Sequence, residues 1–164
     1  METIYLGIGG NLGNRLENIN SAINLITKNI AKPDKISSVY LSEPWGFEHA
    51  KYFTNAVLKL KTDKQPKDIL QIILAIEKEM KRNRTSTGYQ GRTMDIDILY
   101  YGNIIIKSEN LEIPHPKIED RLFVLLPIKE IDPNFRTPIS GKHIDTLILE
   151  CEDKSKIKKL HYGT

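Results

Sequence analysis

Between Asp95 and Leu99 the chain reads Asp-Ile-Asp-Ile-Leu, and this alternation constrains the fold more tightly than any other stretch. In an extended strand, side chains two apart point to the same face, about 6.6–6.8 Å along the chain. Asp95 and Asp97 then look one way while Ile96 and Ile98 look the other. Two neighbouring carboxylates in a mainly apolar strand repel each other and resist burial unless cations or arginines compensate. One face of the strand is therefore core and the other is acid. Spacing alone leaves two readings level: a metal or phosphate site, and a solvated strand face carrying a surface ion pair.

Other segments supply the elements around this strand. Ile4, Leu6 and Ile8 alternate with Tyr5 and Gly7, predicting a strand that ends in the glycine-rich turn Gly9-Gly10-Asn11-Leu12-Gly13. Asn14 with Glu17 three residues on has the form of a capping box, and Leu16, Ile19, Ile23 and Ile26 repeat at helical spacing to about Asn29. Ile36 to Leu41 reads as a second strand and Phe53 to Lys61 as a third that pairs with it. Pro66 suits the first turn of a helix whose buried stripe is Ile69, Ile73, Ile76 and Met80. A polar loop reaches Thr93, and Met94 to Tyr101 is the fourth strand. Gly102-Asn103 turns into the short run Ile104 to Ile106, and Arg121 to Lys129 forms a shorter helix. The order βαββαβ with C-terminal additions predicts an α+β sandwich, a ferredoxin-like antiparallel sheet with helices packed on one face. At 164 residues the expectation is a single domain, 1–164, with its own core.

Composition narrows the function classes. The single cysteine, Cys151, gives neither an internal disulfide nor a cysteine zinc cluster, so the expected compartment is the cytoplasm. The first residues form neither a signal peptide nor an apolar span of about 20 residues, so no membrane partner is expected. A formal charge of +3 does not demand nucleic acid, although Lys78, Lys81, Arg82, Arg84 and Arg92 lie close together. Gly7 to Gly13 fits neither the dinucleotide fingerprint, which needs a glycine at Leu12, nor a P-loop, which needs Gly-Lys-Ser/Thr. Any nucleotide must then be held by arginines, a metal and loops.

Arg82, Arg84 and Arg92 flank the aspartates in sequence, and the loop from Lys81 to Thr93 adds Thr85, Ser86 and Thr87 as donors for phosphate oxygens. Magnesium prefers octahedral oxygen coordination and is commonly held by one or two carboxylates with substrate phosphates. The competing reading of the arginines is solubilising charge at a helix end. Glu77 sits at the edge of its helix's buried stripe, where it either orients an arginine or ligand or merely snorkels. His115 stands between prolines in Ile113-Pro114-His115-Pro116, either as a structural histidine or as a phosphate donor.

Three further stretches complete an ordered set: Arg92-Thr93-Met94-Asp95-Ile96-Asp97-Ile98-Leu99, Ile113-Pro114-His115-Pro116, and Arg121-Leu122-Phe123-Val124-Leu125-Leu126-Pro127. With Gly9-Gly10-Asn11-Leu12-Gly13, Ser42-Glu43-Pro44 and Phe53-Thr54-Asn55-Ala56, the chain resembles the 6-hydroxymethyl-7,8-dihydropterin pyrophosphokinase family from about residue 3 to residue 133. The resemblance implies transfer of the β,γ-diphosphate of ATP to the pterin's hydroxymethyl oxygen, giving AMP and the pterin diphosphate for folate synthesis. It implies two Mg²⁺ ions on Asp95 and Asp97, with Arg82 and Arg92 clamping the phosphates. Glu77, Arg84, Ile98, His115 and Arg121 would line the ATP side. Phe53 and Phe123 would stack on the pterin, Asn55 would meet its edge, and Ser42, Pro44, Trp45 and Tyr89 would close the rim.

Gly10 stands where that family usually has serine, Trp45 where an aliphatic residue is expected, and Tyr89-Gln90-Gly91 where an aromatic followed by Gly-Pro is common. The loops Ser42 to Lys51 and Lys81 to Gly91 are expected to act as lids, and a monomer is the expected state. Two other classes stay open: another metal-dependent phosphotransferase or phosphatase, and an RNA-binding sheet module. The latter lacks the aromatic signature that stacks bases.

Overall fold

A computed structural model describes residues 1–11, 13–42, 52–82 and 94–160, with the backbone alone for Arg82. Strand β1 (Glu2–Gly10) runs through a turn, where Gly13 takes a φ of 61°, into α1 (Arg15–Asn29). The Asn14 side chain accepts the Glu17 N–H at 3.2 Å, satisfying one of the donors that a helix start leaves open. Next come β2 (Lys35–Ile36), β3 (Val39–Ser42), β4 (Phe53–Thr62), α2 (Pro66–Arg82) and β5 (Asp95–Tyr101). A small two-stranded sheet, β6 (Ile106–Lys107) with β7 (Glu112–Ile113), precedes α3 (Leu122–Ile131), α4 (Ile144–Glu150) and β8 (Ile157–Leu160).

The main sheet runs β5-β1-β4-β3-β8, with β2 also on β4, and its pairings are antiparallel. This is the ferredoxin-like order with β8 added beyond β3. On one face Ile4, Leu6, Ile8, Ala56, Leu58, Leu60, Ile96 and Ile98 meet Ile19, Ala22 and Ile26 of α1 and Ile69, Ile73, Ile76 and Met80 of α2. These are the stripes that the helical and period-two patterns set out, and burying them supplies the main driving force.

The helices are not confined to that face. Tyr5, Val57, Leu99 and Tyr100 point the other way and pack with Val124, Leu125 and Ile128 of α3, Phe135, and Ile144 and Leu147 of α4. A β-bulge makes this possible. Leu6 pairs with Ile98 and Tyr5 with Tyr100, so Leu99 is an extra residue and both Leu99 and Tyr100 join the second core, while Tyr101 returns to the first.

Two further expectations are revised. The strand expected over Ile36 to Leu41 divides at Ser37 and Ser38, where the Ser37 N–H still reaches the Val57 carbonyl at 2.9 Å but the return bond of the ladder goes to a side chain and the Ser38 N–H leaves the sheet. Ser37 Oγ accepts the Val57 N–H at 2.8 Å, and the Ser38 N–H donates to both carboxylate oxygens of Glu130, at 3.0 and 2.8 Å. Gly9 and Gly10 belong to β1, paired with Asn55 and Thr54, and not to the turn that follows it.

Candidate active site

Among the described residues, the second face of the sheet is covered only in part. Its register places Gly7 opposite Asp97 on one side and Val57 on the other, and Gly9 between Asp95 and Asn55. Ser42 pairs with Phe53 on the neighbouring strands. Residues directly opposite in an antiparallel pair share a face. Asp95, Asp97, Gly7, Gly9, Asn55, Phe53 and Ser42 therefore line one continuous stretch beyond the end of the α3 and α4 core.

Glycines make its floor low. A Cβ at Gly9 would stand 2.5 Å from Asn55 Oδ1 and 2.9 Å from the Thr54 carbonyl, and one at Gly7 would stand 3.2 Å from Leu99 Cδ2. Any side chain at Gly9 would displace the neighbouring strand or its asparagine. The carboxylates of Asp95, half-buried, and Asp97, exposed, stand at the edge of this floor on an edge strand. Asn55 Nδ2 donates to Ser42 Oγ at 2.8 Å, and Ser42 is 2% exposed.

Glu77 reaches the same strand from the opposite side. Its Oε2 accepts the Ile96 N–H at 2.9 Å, between the two aspartates along the chain. Burial pushes its carboxyl above the ordinary range and Asp95 and Asp97 push it further, while the Ile96 N–H and Lys81 pull the other way. Because Ile96 N–H points to the outer edge of β5, the backbone of Ile98 two residues on faces that edge too. The Ile98 side chain lies in the first core at 6% exposure.

The rim is built by the segments after β7. The His115 N–H donates to the Leu99 carbonyl at 3.3 Å, which ties the residue to β5. Its Nδ1 accepts the Lys117 N–H at 3.4 Å, leaving the proton of the neutral ring on Nε2. Burial holds the imidazole below its usual pKa, with Asp97 pulling it up and Arg121 pushing it down. Arg121 is the N-cap residue of α3, and its guanidinium carbon lies 5.5 Å from the centre of the Phe123 ring. Asp153 accepts the Leu122 N–H at 3.0 Å and so fixes the start of the helix that carries Arg121 and Phe123.

Of the residues expected from sequence, Ser42, Phe53, Asn55, Asp95 and Asp97 thus share one face, with His115, Arg121 and Phe123 on the segments beside it. Pro44, Trp45, Arg84, Tyr89, Arg92 and the side chain of Arg82 lie outside the described residues, as do the centres of both expected lid loops. Sequence reasoning did not single out Gly9 or Asp153 as site-building residues. Gly9 was visible only as part of a glycine run, and Asp153 lies 31 residues from the backbone it caps. A separate groove of about 880 Å³ lies beside α4, where Lys142 pairs with Glu150 at 2.7 Å; none of the expected site residues lines it.

Together these features define an α+β domain with an acidic edge strand beside a shallow, glycine-floored surface, suited to a flat ring next to charged phosphate. The family model for 7,8-dihydro-6-hydroxymethylpterin-pyrophosphokinase matches residues 5–133. A 2-amino-4-hydroxy-6-hydroxymethyldihydropteridine pyrophosphokinase of Aquifex aeolicus is 42% identical over 142 residues, covering 87% of this chain and 88% of the relative. The enzyme of that name from Bacillus subtilis is 36% identical, covering 77% and 76%. A crystal structure of wild-type Plasmodium falciparum HPPK-DHPS with SDX-DHP superposes with a TM-score of 0.74 at 18% identity. It covers 92% of this chain and 43% of that one, a likeness of fold. The chain belongs to the 7,8-dihydro-6-hydroxymethylpterin pyrophosphokinase family, whose members are diphosphotransferases.

Proposed function

We propose that the half of the second sheet face beyond α3 and α4 is where this enzyme transfers diphosphate from ATP to the hydroxymethyl oxygen of 6-hydroxymethyl-7,8-dihydropterin. AMP and the pterin diphosphate leave, as the pyrophosphokinase step of folate synthesis requires. The observation that carries the placement is the shared face of Asp95, Asp97 and Asn55 across Gly7 and Gly9. It sets two carboxylates beside a surface low enough for a bicyclic ring.

The donor set fits magnesium. Two carboxylates project from one strand face over residues without side chains. That is what an ion needs if substrate phosphates and water complete its octahedron. Asp95 and Asp97 would hold two Mg²⁺, and the ions would supply neutralisation of phosphate charge and polarisation of the substrate hydroxyl.

The chain's own residues supply the rest. Arg82 and Arg92 clamp the triphosphate, Arg84 helps to shape the nucleotide side, and Nε2–H of His115 donates to a phosphate oxygen. Arg121 lies over Phe123 and presents its remaining N–H groups to the nucleotide. The backbone of Ile98 at the strand edge meets the base, with Glu77 bracing that strand. Phe53 and Phe123 stack on the pterin and Asn55 meets its edge, with Pro44, Trp45 and Tyr89 closing over it. The enzyme acts as a single-domain monomer in the cytoplasm. Among the described residues no helix is long and apolar enough to cross a membrane.

Calorimetry tests this reading. A non-hydrolysable ATP analogue with Mg²⁺ is titrated first and the pterin second. Pterin heat that depends on bound nucleotide is expected, and absence of heat from either ligand would overturn the assignment.

A further inference from the structure

α3 begins with a residue that cannot cap it. Arg121 stands at the N-cap, where a side-chain oxygen normally accepts a first-turn N–H, and a guanidinium has only donors. The acceptor comes from far along the chain. Oδ2 of Asp153, a residue 9% exposed, takes the Leu122 N–H at 3.0 Å. Its other oxygen, Oδ1, takes the Ser155 N–H at 2.8 Å, a local turn that aims the carboxylate at the helix. Burial alone would raise the Asp153 carboxyl, but the hydrogen bonds from Ser155 and Leu122 and the Arg121 charge outweigh it and hold the group below the usual range. An ionised carboxylate only accepts and a backbone N–H only donates, so the contact has one sense, and negative charge there suits the positive end of the helix. Asp153 lies beyond residues 5–133, the stretch that matches the family model.

We infer that Asp153 is a positioning residue for both substrates: by capping α3 from outside the helix, it leaves the cap position to an arginine and holds Arg121 and Phe123 ready for nucleotide and pterin. The two share one helix start, Arg121 just before the first residue and Phe123 the second within it, with the guanidinium carbon 5.5 Å from the ring centre. Ordering that start once therefore serves both ligands. Without the cap the start frays, the first ligand to bind must restore it and loses affinity in doing so, and the second ligand finds it restored. A cap that served folding alone would not weaken the ligands in this order-dependent way. This inference rests on the proposed placement of nucleotide at Arg121 and pterin at Phe123.

Calorimetry on the full chain tests it, with the non-hydrolysable ATP analogue and Mg²⁺ titrated to saturation first and 6-hydroxymethyl-7,8-dihydropterin second. A lost cap is worth about fivefold to tenfold in an equilibrium, so Asp153→Ala should weaken the nucleotide by that factor. The pterin, added to the loaded variant, should bind within about twofold of wild type, because the nucleotide has already ordered the helix start. An Arg121→Ala background removes the nucleotide's hold on that start, and there the pattern should reverse. Adding Asp153→Ala should then change nucleotide affinity by less than about twofold and weaken the pterin about fivefold to tenfold. Asp153→Asn keeps the shape but can satisfy only one of the two N–H groups, so it should show the same exchange at a smaller amplitude, and it decides the matter if the alanine variant is unfolded. In the folded variant, unchanged nucleotide affinity, nucleotide losses that add to those of Arg121→Ala, or weakening of both ligands while Arg121 is present would overturn the inference and leave the site standing. A wild-type chain that binds neither ligand would overturn both.

Discussion

At the scale of single residues, side chains hold the backbone around the site in place. Glu77 is the clearest. Its carboxylate caps the Ile96 N–H on the outer edge of β5, so it braces the strand between the two aspartates without standing on their face. Removing that acceptor leaves a partly buried donor unsatisfied, which typically costs about 1–3 kcal/mol. Glu77→Ala should lose about that much in denaturant unfolding, while Glu77→Gln, whose amide oxygen still accepts, should lose much less. Equal losses would mean that charge and not the bond matters. The sequence placed Glu77 at the boundary of its helix's buried stripe, because helical periodicity is local. It could not name Ile96 as the partner, because that bond joins residues 19 apart through the packing of a helix on a strand.

At the scale of elements, α3 locks onto the sheet through its C-terminal end. Glu130 takes the Ser38 N–H on both oxygens and the Tyr40 hydroxyl at 3.2 Å, with Lys159 at 3.5 Å. Asp132 accepts from the Tyr5 hydroxyl and pairs with Lys59 at 3.2 Å. Burial alone would raise the Glu130 carboxyl, but its hydrogen bonds from Ser38 and Tyr40 and the Lys159 charge outweigh burial and lower it from 4.5. A carboxyl depressed in the folded state contributes stability that is complete above its unfolded value and is lost as pH falls through the folded one. Stability should therefore decline as the solution is acidified below about pH 4.5, and Glu130→Gln should flatten that part of the profile. An unchanged profile in the variant would remove Glu130 from the explanation.

The same elements show what periodicity reveals and what it hides. Apart from the division of the strand expected over Ile36 to Leu41, the strands and helices up to Tyr101 were legible because each carries an apolar period. β8, reading Ile-Lys-Lys-Leu, and α4, barely two turns long, carry too little pattern and exist because the sheet offers an edge and a face to cover. The bulge at Leu99 was equally hidden, since strict alternation would have sent Tyr100 to the other core.

At the scale of the whole molecule, one sheet serves two cores and one site. The first face is covered by α1 and α2, and the second, among the described residues, by α3 and α4 as far as Leu99 and Val57. What remains beyond them is polar because the sequence alternates acid with isoleucine, and shallow because Gly7 and Gly9 have no side chains to fill it. The Asp-Ile-Asp run that sets this division also carries the proposed chemistry, so the two can be separated by mutating the acids and leaving the isoleucines. The direct measurement is Mg²⁺-dependent release of AMP from ATP in the presence of 6-hydroxymethyl-7,8-dihydropterin. Asp95→Ala and Asp97→Ala should each abolish it while unfolding at nearly the wild-type denaturant midpoint. Full AMP release by either variant would contradict the assignment of this face as the site of diphosphate transfer.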